Sequence, residues 1–139
     1  MTTINFDSDM LITNGCNFIR IGNITEAVDC FQRAAELNPN SSKAWHNLGL
    51  GLAKLGNYYQ PALGCFERTI EITPDDSEAW NNKGTILDNL GKVHEALICY
   101  QRSIEIMPWN TKALNNMAIL YQKLGDKQAA KACLKKMGK

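Results

Sequence analysis

Apolar residues along this chain return at intervals of three and four, and no run alternates with the period of two that a strand requires. In EALICYQRSIEI (Glu95 to Ile106) they are Ala96, Leu97, Cys99, Tyr100, Ile104 and Ile106, a broad stripe along one side of a helix. Arg102 and Glu105 stand three apart on the opposite side, as do Arg33 with Glu36 and Arg68 with Glu71. Such exposed pairs are worth only roughly 0.2–0.5 kcal/mol each and mark the solvent face. A second kind of helix reads AWNNKGTILDNL (Ala79 to Leu90), with Trp80, Ile86, Leu87 and Leu90 on one side, Ser77 predicted as its N-cap and Glu78 in the first turn. Gly22, Gly56, Gly91 and Gly125 each close one helical pattern just before the next begins, where a left-handed residue ends a helix.

The two patterns alternate, and they repeat. CFQRAAELNP begins at Cys30, CFERTIEITP at Cys65 and CYQRSIEIMP at Cys99, with Trp45 and Gly49 preceding the second and Trp80 and Gly84 the third. A fixed period of this length means stacked copies of one supersecondary unit, so the expected fold is all-α with about eight helices in helix-turn-helix pairs. The boundaries follow: an N-terminal lead-in over 1–7, then repeats over 8–41, 42–76, 77–110 and 111–139, the last truncated and self-capping. The second repeat is one residue longer, because Gly56 to Ala62 is six steps where Gly91 to Ala96 is five. That predicts a longer turn within GNYYQP, with Pro61 harmless in the first turn of the following helix. The chain's end carries Lys127, Lys131, Lys135 and Lys136, which supply part of the polar outer face a terminal repeat needs. Ala132, Leu134 and Met137 are expected to stay exposed there.

Position by position the units are Leu11, Asn14, Gly15, Phe18, Ala27, Phe31, Ala34 and Pro39; Trp45, Leu48, Gly49, Leu52, Ala62, Phe66, Thr69 and Pro74; and Trp80, Lys83, Gly84, Leu87, Ala96, Tyr100, Ser103 and Pro108. A fourth begins with Leu114, Met117, Ala118 and Tyr121, then Ala130 and Leu134, and stops before a proline. This pattern resembles the tetratricopeptide repeat family, over residues 8 to 137. The resemblance implies a right-handed α-solenoid whose first helices line a concave groove that binds a peptide segment or helix of a partner. At 100° per residue the slots opposite the core stripe of each first helix are Asp9, Thr13, Cys16 and Arg20; Lys43, Asn47, Leu50 and Lys54; Glu78, Asn82, Thr85 and Asn89; and Lys112, Asn116, Ile119 and Lys123. Five basic residues against two acidic ones give that face a mild preference for acidic segments. Asn47, Asn82 and Asn116 recur in one slot, and an amide that both donates and accepts can hold a peptide backbone of any sequence; the family uses asparagine there in that way. His46, Asn81 and Asn115, one slot earlier, are expected to flank the groove, and Leu50 and Ile119 to add apolar pockets. The family's clamp for a terminal carboxylate is not reproduced: Asn82 and Lys112 match two of its five positions, but His46, Leu50 and Asn116 stand where lysine, asparagine and arginine would be required.

Composition narrows the rest. A net charge of +1 on 139 residues gives no electrostatic case for nucleic acid or an anionic membrane. The N-terminal MTTINFDSDM carries acids where a signal peptide needs cations and an apolar core, so a cytoplasmic setting is expected. Cys30, Cys65, Cys99 and Cys133 share one slot of the second helices. Held one repeat apart they do not converge on a metal or on each other, so they read as small buried hydrophobes; Cys16 is the more exposed thiol, with Arg20 one turn away. No phosphate loop, metal spacing or nucleophile elbow appears, and His46 and His94 lie in different phases. The expectation is therefore a binding protein, not an enzyme, with no cofactor and a protein or peptide partner. The alternative is a self-associating unit that stacks through its C-terminal helix.

Overall fold

The computed structural model describes residues 3–138. Among them are eight helices and no strand: α1 Thr3–Arg20, α2 Ile24–Leu37, α3 Ser42–Leu55, α4 Tyr59–Ile72, α5 Ser77–Asn89, α6 Val93–Ile106, α7 Thr111–Lys123 and α8 Lys127–Lys136. The architecture is the all-α, helix-turn-helix repeat type that builds α-solenoids. Helix α1 begins at Thr3, so the residues expected as a lead-in are helical from there on, while Met1, Thr2 and Lys139 lie outside the described residues. The chain divides into two compact units, Met1–Pro74 with the first two repeats and Asp75–Lys139 with the last two.

In the first unit α2 packs against both α1 and α3, and α3 against α4; in the second α6 packs against α5 and α7, and α7 against α8. Within a repeat the two helices meet at a glycine. A Cβ placed on Gly15 would lie 2.5 Å from Phe31, on Gly49 2.9 Å from Phe66, and on Gly84 2.6 Å from Tyr100. Each ring is buried, so the bare glycine surface is the socket into which it fits. The fourth repeat has Ala118 and Leu134 at these two slots, a larger residue on the first helix matched by a smaller one on the second. Fully buried Ala27, Ala62 and Ala96 keep the second helices equally close.

The interior also contains polar joints. Ser8 donates a hydrogen bond to the Ala34 carbonyl at 3.0 Å, and its counterpart Ser77 donates to the Ser103 carbonyl at 3.0 Å. Ser77 was expected to cap α5. Asp76 does so instead, its carboxylate accepting from the Ala79 N–H at 3.0 Å, which leaves Ser77 to turn inward. The Ser103 hydroxyl donates back to the Ser77 carbonyl at 2.8 Å. Both hydroxyl protons are thus engaged, and Asn110 supplies two more from its Nδ2, to Ser77 Oγ at 2.9 Å and Ser103 Oγ at 3.2 Å. Its Oδ1 caps α7 by accepting from the Ala113 N–H at 3.2 Å. In the first unit the corresponding connection is held from outside: the Pro39 carbonyl accepts from Trp45 Nε1 at 2.8 Å and from Arg68 Nη2 at 3.3 Å.

The inserted residue of the second repeat does not widen the gap between its helices. Asn57 and Tyr58 follow Gly56, but α3 runs through Leu55 where α5 and α7 stop one residue earlier, so three residues separate the helices as in the other repeats. Gly56, like Gly22, Gly91 and Gly125, has a positive φ, here 91°. At the chain's end Leu134 and Met137 are half-buried and only Ala132 is exposed among the three apolar residues expected at the surface.

Two predictions follow from these joints. Gly49→Ala and Gly84→Ala each destabilise by about 1–3 kcal/mol through overpacking, offset in part by alanine's better helix propensity. Gly84→Ala is the worse, because its Cβ would also lie 3.2 Å from the Ala96 backbone carbonyl. Adding Phe66→Leu to Gly49→Ala recovers stability relative to the sum of the single changes, in a urea double-mutant cycle. Asn110→Asp keeps a cap but removes the amide protons, and should cost about 1–3 kcal/mol in the same assay. If Asn110 acted only as a cap, aspartate would be neutral there or better.

Candidate functional site

The first-helix face of the first unit is built from α1 and α3. Asp9, Thr13, Cys16 and Arg20 are exposed along α1, and Lys43 and Lys54 along α3. His46, Asn47 and Leu50 are half-buried between them and the core. His46 stands edge-on to Phe66, ring centroids 5.7 Å apart, so it is anchored as a packing residue. Asn47 Nδ2 donates to the Lys43 carbonyl one turn back at 3.0 Å, and Arg20 donates to the Asn17 side chain rather than reaching for Cys16. Between the two helices lies a pocket of about 110 Å³, walled by Cys16, Ile19, Phe31, Leu50 and Gly51 and completed by Asn47 and Lys54. Gly51 of α3 forms part of its wall. A Cβ there would lie 2.8 Å from Val28 Cγ2, so the same glycine brings α3 onto α2.

The first-helix face of the second unit uses the same slots differently. Lys112, Asn115, Ile119 and Lys123 are exposed on α7, Glu78, Thr85 and Asn89 on α5, and Asn82 is half-buried. Asn81, expected beside the groove, is instead buried, only 6% exposed. Its slot is a core slot, held in the first repeat by buried Ile12. Burial of an amide demands a partner, and Asn116 supplies it: its Nδ2 donates to Asn81 Oδ1 at 2.9 Å across the repeats. Lys123 lies 3.4 Å from Asp88 of the preceding repeat, so one of the five cations counted on this face is already neighboured by an acid.

The cysteine column is interior. Cys30, Cys65, Cys99 and Cys133 are buried, while Cys16 is exposed. Burial pushes the Cys65 thiol up from its ordinary 9.0 to about 11. It raises Cys30 as well, reinforced by Asp29, and it raises Cys133. These thiols therefore remain protonated and unreactive at neutral pH. What the slot arithmetic alone overlooked is the pocket wall: Ile19 and Gly51 lie off the counted slots. Comparing slots across repeats marks them, since Gly51 aligns with Ile86 and Leu120, and Ile19 with Asp88.

The fold and its repeated slots together define a helix-turn-helix repeat protein. Sequence models described as tetratricopeptide repeat match residues 65–98 and 111–136, and one described as TPR repeat matches 17–56. The chain is a tetratricopeptide repeat protein. Over 49 residues, 35% of its length, it is 41% identical to the peroxisomal targeting signal receptor of Pichia angusta, and that stretch is 9% of the receptor. Among solved structures it is similar to MamA, with a TM-score of 0.88 at 22% identity over 94% of this chain and 76% of that one. MamA from Desulfovibrio magneticus RS-1 gives 0.86 at 22% identity, over 94% and 73% of the two chains. The first repeat domain of Spaghetti (RPAP3), bound to an HSP90 peptide, gives 0.83 at 21% identity, over 87% and 95%.

Raising the pH tests the buried column. Because the folded pKa of Cys65 exceeds the unfolded one, its contribution is fully present below about pH 9 and is lost as pH rises toward 11. The stability of the wild type should fall, relative to Cys65→Ala, by on the order of 2 kcal/mol between those limits, read by urea denaturation. A pH-independent difference would place the thiol outside the apolar interior.

Proposed function

We propose that this protein is an interaction module, without catalytic activity of its own, that binds a segment of a partner protein on the first-helix faces of its units. The observation that carries the reading is what those faces collect: amides, lysines, Leu50 and Ile119, with a preformed pocket between α1 and α3. Pockets with apolar walls and a few placed polar groups are where ligands bind. Neither histidine suits acid–base work, since His46 packs on Phe66 and His94 is exposed in the first turn of α6. The likeness to a repeat domain bound to an HSP90 peptide supports the class of ligand, and the missing clamp residues argue against a terminal carboxylate as its anchor. Lys43, Lys54 and Lys112 favour acidic segments.

Immobilised wild-type protein should capture partners from a lysate that a Leu50→Glu, Asn82→Ala, Ile119→Glu variant of equal circular dichroism does not, with affinities lower by about tenfold or more. Asn116 is left intact in that variant, because its loss would strand Asn81. Partners retained by both proteins would move binding to the second helices or the chain ends and overturn the proposal.

A further inference from the structure

The two units align slot for slot, and the comparison singles out the first. In the second unit Asn116 is tied to Asn81 and Lys123 neighbours Asp88. In the first, the residues aligned with Asn81 and Asp88 are Ile12 and Ile19. Asn47 instead turns back onto its own helix, and Lys54 makes no ion pair among the described residues. Where α7 carries Leu120, α3 carries Gly51, and where α5 carries Thr85, α1 carries the smaller-headed Cys16; that difference accompanies the opening of the pocket. An apolar cavity thus lies beside an ammonium group that the fold itself leaves unneutralised.

We propose that the pocket between α1 and α3 is a specificity pocket that takes one branched aliphatic side chain of a partner segment, with an adjacent acidic residue held by Lys54. The assignment rests on the interaction-module reading and adds to it the chemistry of the ligand. Size selects the side chain: a cavity of about 150 Å³ is what accepts a benzene ring, and this one has about 110 Å³. That volume favours a compact branched side chain such as leucine or isoleucine over phenylalanine or tryptophan. Charge selects the neighbour, since an exposed lysine beside an apolar pocket favours a carboxylate over an amide.

The test uses the full chain, labelled with ¹⁵N, and a capped peptide of glycines and serines with one leucine between two glutamates. Amide shifts are expected to cluster at Cys16, Leu50, Gly51 and Lys54, with binding about tenfold weaker when leucine is replaced by alanine. Glutamine for glutamate should weaken it about threefold, as befits an exposed ion pair. Two variants at exposed positions guard against misfolding: Cys16→Trp fills the pocket and abolishes the shifts, and Lys54→Glu removes the glutamate preference while sparing the glutamine peptide. Equal binding of a phenylalanine peptide overturns the proposal. Shifts at Asn82 and Ile119 instead overturn it while leaving the broader interaction reading in place. An absence of shifts with every peptide also overturns it, and the lysate capture then decides the interaction reading separately.

Discussion

The contact on which each of the first three repeats depends is a glycine on the first helix against an aromatic ring on the second. Helices pack 8–10 Å apart according to the side chains between them, and here one side contributes none. The ring of Phe31, Phe66 or Tyr100 occupies that gap and is buried by it. The remaining interior follows from the same close approach. Small residues recur at Ala27, Ala62, Ala96 and Ala130, and thiols fill the neighbouring slot. In the fourth repeat the balance of volume is kept with a larger first-helix residue, Ala118, and a smaller second-helix one, Leu134, at the same slots. Complementary volume, rather than any one residue type, is what the repeat preserves.

Polar groups enter this interior only where each can be answered. Ser8 and Ser77 use backbone carbonyls of the second helix, and the pair Ser77 and Ser103 would be short of protons without Asn110. The same accounting governs the exposed first-helix side. A buried Asn81 obliges Asn116 to turn toward it, and a nearby Asp88 occupies Lys123. Repeats that share a template therefore differ in which side chains they consume internally and which they leave exposed. That division, more than the list of first-helix slots, separates the two units.

Much of this was readable in the chain itself. Period and phase yielded the helices, the turn glycines and the buried cysteine column, because a helical stripe depends only on spacing. The lysines and Ile119 of the first-helix slots lie on the exposed side for the same reason. Where the reading departed from the structure, a local rule met a competing partner. Ser77 is a good cap by type, but Asp76 stood one residue earlier, and Ser77 and the buried Ser103 exchange two hydrogen bonds through each other's backbone carbonyls. The extra residue before Pro61 suggested a longer turn, yet α3 absorbed it by continuing through Leu55.

The sequence by itself determined the repeat, its family and the faces of its helices, since these are one-dimensional consequences of where apolar residues fall. Only the tertiary structure decided which slots are open. Asn47, Asn82 and Asn116 are the same residue in the same phase, and spacing cannot tell them apart. What distinguishes Asn47 from Asn116 is the residue at the aligned slot of the preceding repeat, Ile12 in one unit and Asn81 in the other, where only the latter can accept a hydrogen bond. Hydrogen bonds, ion pairs and cavities belong to pairs of surfaces, and the pairing exists only once the helices have packed.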